Sequence, residues 1–117
     1  QFLGHVSQNT LFSHMVEADY FILMSRYNSE RLPNVIKEAM ACNCPIIATD
    51  VGDIRELTDS VLECRIIKYE VESVVEAIKD TISSGKRSNG RVRLEKISSV
   101  KIANELVRLY QSIIDQA

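Results

Sequence analysis

Two glutamates eight residues apart, Glu30 and Glu38, lie in the part of this chain richest in groups able to do chemistry. Glu38 falls in the segment Pro33 to Cys42, which reads as a helix because proline suits a first turn and Ala39, Met40 and Ala41 favour helix. On a helical wheel Glu38 lies on the shoulder of the Val35, Ala39, Cys42 stripe, away from Lys37, so its carboxylate is expected to be partly buried. Such a carboxylate needs donors, and the vicinal hydroxyls of a ribose suit its two oxygens. An exposed or salt-bridged helix glutamate is the plainer reading of the same position. Ahead of the helix, a polar loop carries Ser25, Arg26, Asn28, Ser29 and Glu30. The first backbone N–H groups that the helix does not use lie near Leu32, Asn34 and Val35, since Pro33 has none. A helix start of this kind can receive an anion such as a phosphate. Every α/β protein has several such ends, so this feature alone selects no ligand.

The elements that position these groups follow from apolar runs and their periods. Tyr20 to Met24 is apolar without alternation, as expected for a strand buried on both faces of a parallel sheet. Ile46 to Ala48 and Cys64 to Ile67 read as further strands, and Phe2, Leu3 and Val6 as a short one near the start. Helices are expected over Thr10 to Glu17, over Ile54 to Leu57, and through Val71, Val74, Val75, Ile78 and Ile82, stopping at Ser84-Gly85. A last helix carries Ala103, Leu106, Val107, Tyr110, Ile113 and Ile114 on its apolar face. Asn43 tolerates the left-handed conformation that closes the Pro33 helix, and Pro45 cannot continue it. Lys86 to Arg93, with four basic residues among Ser and Gly, reads as a mobile, solvated connection. The alternation of strands and helices predicts the α/β class: a Rossmann-like open parallel sheet with helices on both faces. Ligands of such sheets bind outside the carboxyl ends of the strands, here the loops after Met24 and Ala48.

Composition excludes several classes of function. A length of 117 residues with 45% apolar content provides for one domain, residues 1–117, with a core. Net charge is −2 with the two signs interleaved, so there is no basic stripe to neutralise a nucleic-acid backbone. No apolar run approaches the roughly 18 to 20 residues that span a bilayer, and the start has no signal-peptide pattern, so a cytoplasmic location is expected. Cys42, Cys44 and Cys64 are expected to be buried, reduced thiols. Asp50 and Asp53 lack the further acidic residues of a metal site, so no metal is expected. His14 has no evident carboxylate partner and reads as structural; His5 lies in a loop after the first apolar segment. A first residue of glutamine inside an apparent strand suggests a piece of a longer protein.

The run Ser25 to Glu56, SRYNSERLPNVIKEAMACNCPIIATDVGDIRE, resembles the sugar-nucleotide signature of the family 4, or group 1, retaining glycosyltransferases of the GT-B fold. That signature has a serine after a buried strand, two glutamates at this spacing, Ala-Met-Ala, and a Pro-led strand entering a loop of the Thr-Asp-x-Gly type. More loosely, the resemblance reaches Leu3-Gly4-His5-Val6 and the final Leu109-Tyr110. It implies that Glu30 binds hydroxyls of the donor sugar and orients its anomeric centre. It also implies that the amides of Leu32, Asn34 and Val35 hold the donor phosphate, and that Glu38 binds the ribose 2′ and 3′ hydroxyls. The donor would be a UDP- or GDP-sugar, with no cofactor or metal, and the acceptor a glycan or lipid-linked glycan. The chain would be part of the C-terminal domain, working against its own N-terminal acceptor domain, which is not in this sequence. A lipid-linked acceptor would bring the protein to the inner membrane face. Three positions depart from the family pattern: Arg31 and Asn43 stand where glycine is common, and Asp53 replaces the second glycine of a frequent pair. Two alternatives go with these departures and with the fold: a non-catalytic GT-B domain kept as a binding module, and a nucleotide-sugar 2-epimerase-like enzyme.

Overall fold

The structure is a computed structural model, described here for residues 1–26 and 33–116. Along the chain run α1 (Gln8–Glu17), β1 (Phe21–Leu23), α2 (Asn34–Ala41), β2 (Ile46–Thr49) and α3 (Ile54–Leu57). They are followed by β3 (Cys64–Ile67), α4 (Val71–Ser84), α5 (Gly90–Lys96) and α6 (Ser99–Asp115). The strands form a parallel sheet in the order β1-β2-β3, with Phe21 opposite Ile46 and Ile46 opposite Cys64.

Because side chains alternate along a strand, one face of the sheet carries Phe21, Leu23, Ile46, Ala48, Cys64 and Ile66. These pack with Ile36, Ala39 and Met40 of α2 and Ile54 and Leu57 of α3. Ile36, Met40, Ile46 and Ile54 are fully buried, each contributing about 1.5–3 kcal/mol by area removed from water. The other face carries Ile47 and Arg65 and takes α4, where the Arg65 guanidinium donates to the Thr81 hydroxyl at 3.0 Å and to Glu63 at 2.8 Å. Helices therefore cover both faces, as the alternation of strands and helices requires. The Arg65 guanidinium and the Ser84 hydroxyl together hold the Glu63 carboxyl below the usual carboxylate range.

Five expectations need correction. Phe2 to Val6 is not a strand: Gly4 has φ +67°, which breaks an extended ladder, and Phe2 is fully exposed. β1 is not enclosed on both faces, since α4 sits over β2 and β3 and leaves Ile22 37% exposed. The stretch after α4 is no solvated tether. Its Arg87 donates to the carbonyls of Met15, Ala18 and Cys42, and its Gly90 begins α5 against Met40. In α6 the foreseen apolar face exists, yet no residue of the helix is buried. Of the thiols, Cys44 is buried while Cys42 and Cys64 are half-buried. No helix among the described residues is long and apolar enough to cross a membrane.

Candidate functional site

All three strands point their carboxyl ends at one edge of the sheet, and the polar loops gather there. β1 runs out through Met24 and Ser25, whose carbonyl accepts a hydrogen bond from the Thr49 hydroxyl at the end of β2. Beyond Thr49 the chain turns through Asp50, Val51 and Gly52, the last at φ +53°. The Asp50 carboxylate accepts from Arg55 Nε at 2.9 Å. From the end of β3 come Lys68 and Tyr69, with the Arg26 guanidinium 5.7 Å from the centre of the Tyr69 ring. Together these ends line an open cleft of about 470 Å³.

α2 starts beside this edge. Buried Pro33 is its N-cap, extended at ψ 128°, and provides no side-chain cap. Its carbonyl accepts from the Ile36 N–H at 3.2 Å. Helix geometry gives the N–H groups of Asn34 and Val35 no partner within the helix, and the dipole places its positive end among them. Asn34 is exposed and Val35 half-buried. Glu38 follows Asn34 by four residues, about 6 Å along the axis. It is half-buried, as its place on the helix shoulder predicts, and Gln8 at the start of α1 donates to its Oε1 at 3.4 Å. The buried stripe itself is Ile36, Ala39 and Met40. That contact places a carboxylate oxygen and a carboxamide side by side where α1 meets α2.

Of the predicted site residues, Asn34, Val35 and Glu38 thus share one helix, with the amides one turn before the carboxylate. Glu30 and Leu32 lie outside the described residues, as does Arg31. His5 is exposed, and exposed His14 lies in the last turn of α1. Asp53 is half-buried at the head of α3. Among the described residues no three His, Cys, Asp or Glu side chains gather as a metal site would require. The Cys64 thiol is pushed up to about 11 by burial, so it is not a nucleophile near neutral pH.

Residues 1–84 match the family described as glycosyl transferases group 1. The chain belongs to that family. Over 112 residues this group 1 chain is 29% identical to TuaC of Bacillus subtilis strain 168, a protein assigned as a glycosyltransferase of teichuronic acid biosynthesis. The match covers 96% of the chain and 25% of that relative. In fold it is similar to a sucrose-phosphate synthase from Thermosynechococcus elongatus, with a TM-score of 0.76 and 24% identity over the whole chain. It spans 31% of that structure. The α/β reading of the sheet and the resemblance to a GT-B group 1 transferase therefore both hold. Gln8 was not among the candidates, because a glutamine at a helix start carries no signal until the fold brings Glu38 to it.

Proposed function

We propose that this chain supplies much of the donor site of a glycosyltransferase that moves a sugar from a UDP- or GDP-sugar to a glycan or lipid-linked acceptor, with retention of configuration. The observation that supports it most is the placing of half-buried Glu38 about 4.5–6 Å beyond the N–H groups of Val35 and Asn34. A nucleoside diphosphate has the complementary layout, anionic oxygens next to a ribose with two adjacent hydroxyls. On this reading the amides of Asn34 and Val35 accept the diphosphate at the positive end of α2, and stabilise the charge that grows on it as the sugar leaves. Leu32 extends that set. Glu38 accepts from the ribose hydroxyls, and Gln8 holds its carboxylate toward them. Glu30 takes the donor sugar's hydroxyls and sets the anomeric carbon. The site needs no metal or other cofactor, because the backbone amides at the start of α2 carry the leaving charge.

The acceptor belongs, in the same proposal, to an N-terminal domain in the remaining length of the protein, and the active centre forms between the two. The protein works on the cytoplasmic side, where nucleotide sugars are its partners and nucleic acid is not. Peripheral attachment at the inner membrane face would suit a lipid-linked acceptor.

Calorimetric titration of the full-length protein with UDP, GDP and their sugar conjugates tests this. One nucleotide should bind, and Glu38→Ala should weaken it by about 1.5–3 kcal/mol, roughly ten- to a hundredfold in Kd, as for hydrogen bonds to a charged group. Equal affinity in wild type and Glu38→Ala would refute the ribose assignment. A folded protein that binds no nucleotide would point instead to a non-catalytic module.

A further inference from the structure

The cleft at the ends of β2 and β3 is not used by the donor reading, which rests on α2. Its lining has an unusual balance of charge. Arg26, Arg55 and Lys68 arrive from three different strand ends, and Asp50 is the one carboxylate among the described lining residues. The chain as a whole is acidic, at −2, so this excess of two positive charges is local. Arg55 spends its Nε on Asp50 at 2.9 Å and keeps both terminal nitrogens for a planar, two-oxygen acceptor. Lys68 has no ion-pair partner among the described residues. Tyr69, more than half exposed, lines the cleft beside them, and the volume of about 470 Å³ accommodates a monosaccharide unit.

We infer that this cleft is a subsite for an acidic sugar, with Arg55 and Lys68 holding its anionic group, a carboxylate or a phosphate ester. The cations lie where open parallel sheets receive ligands, on the same edge as the start of α2. That the sugar is one unit of an acceptor seated mainly on the N-terminal domain, rather than any other sugar ligand, is the only step that rests on the transferase reading. Asp50 acts as the positioning residue for Arg55, fixing the guanidinium by its Nε so that its far side meets the ligand.

The test is a titration of the full-length protein, by chemical-shift perturbation, with methyl glucuronide, its neutral twin methyl glucoside, and inorganic phosphate. Glucuronide should bind about tenfold tighter than glucoside, the scale of one charge-assisted hydrogen bond. Lys68→Gln and Arg55→Gln should each remove most of that margin while leaving UDP and GDP affinity unchanged, which also shows that the variants are folded. Displacement of glucuronide by phosphate at comparable concentration would support the subsite and mark it as reading anionic charge, as for a phosphate ester. Its absence, with glucuronide bound, would support it as a carboxylate site. Equal binding of the two glycosides, or glucuronide affinity untouched in both variants, overturns the inference. So does parallel loss of nucleotide affinity in Lys68→Gln, which would make the cleft part of the donor site. Glucuronide binding in a protein that ignores every nucleotide would leave the subsite standing and remove the donor reading.

Discussion

The two ends of α2 are built in opposite ways. At the start, Pro33 brings no side-chain cap, and the N–H groups of Asn34 and Val35 have no partner within the helix. At the finish, a left-handed turn and three side chains seal the helix end. Asn43 turns the chain at φ +50°, and its carbonyl accepts from the Ser88 N–H at 3.0 Å. Its side-chain oxygen accepts from the Arg91 N–H at 3.0 Å, while Arg91 Nε donates to the Ala41 carbonyl at 2.7 Å. Arg87 adds a bond to the Cys42 carbonyl at 3.1 Å. A helix held firmly at one end can leave the other open to a ligand without fraying. The stitched end supplies rigidity on which the proposed binding at the uncapped end would rely.

The largest way to break this contrast is to lift α5 from α2. A Cβ placed on Gly90 would stand 2.8 Å from the Met40 Cβ and 2.9 Å from its Cα, and a backbone atom cannot step aside as a side-chain tip can. Gly90→Val should therefore cost about 3 kcal/mol, the upper part of the range for overpacking a core. The check is the midpoint of urea unfolding followed by circular dichroism. An unchanged midpoint would mean that α5 does not seat on α2, and the account of the sealed end would fall with it.

A smaller effect is expected from Arg87→Ala. The guanidinium donates to three carbonyls, from Met15, Ala18 and Cys42, and so ties the end of α1 to the end of α2. Arg87 is exposed, so water can replace part of what is lost, and about 1–2 kcal/mol is the expected cost. Arg87→Lys should recover little, because a single ammonium cannot reproduce a planar fork that serves three acceptors. Thermal denaturation of both variants separates geometry from charge; full recovery in the lysine variant would assign the effect to charge alone.

This asymmetry was only half legible in the sequence. Asn43 followed by Pro45 announces a helix stop, and Ser84-Gly85 another, because both act through local backbone conformation; Gly85 indeed takes φ +61°. The strand cores Ile46–Thr49 and Cys64–Ile67 are equally local, as short apolar runs between turn residues. Glu38 could be placed on a helix shoulder from its spacing, and the fold leaves it half-buried. The role of Arg87 could not be read in that way, since its partners lie 45 to 72 residues away and carbonyls leave no mark on side-chain pattern. The same holds for Gly90, whose need for a missing Cβ exists only once Met40 lies against it. Composition placed Lys86 to Arg93 in solvent because basic residues among Ser and Gly are usually solvated. Here three of the four arginines and lysines of that stretch hold backbone carbonyls instead.

The finest test of the sealed end is Asn43→Gly. Two contributions oppose each other. Glycine adopts φ +50° without the steric cost that an L side chain bears there, which favours the variant by up to about 1 kcal/mol. It also gives the unfolded chain more freedom and deletes the acceptor for the Arg91 N–H, each worth about 0.5–1 kcal/mol against it. The net should lie between zero and about 2 kcal/mol of destabilisation, because the lost acceptor sits at the junction of α2 and α5. Asn43→Ala removes the same acceptor while keeping a Cβ at positive φ, so it should be less stable than Asn43→Gly. If the two variants unfold at the same midpoint, backbone conformation contributes nothing at this corner, and the Arg87 and Arg91 contacts alone close the helix.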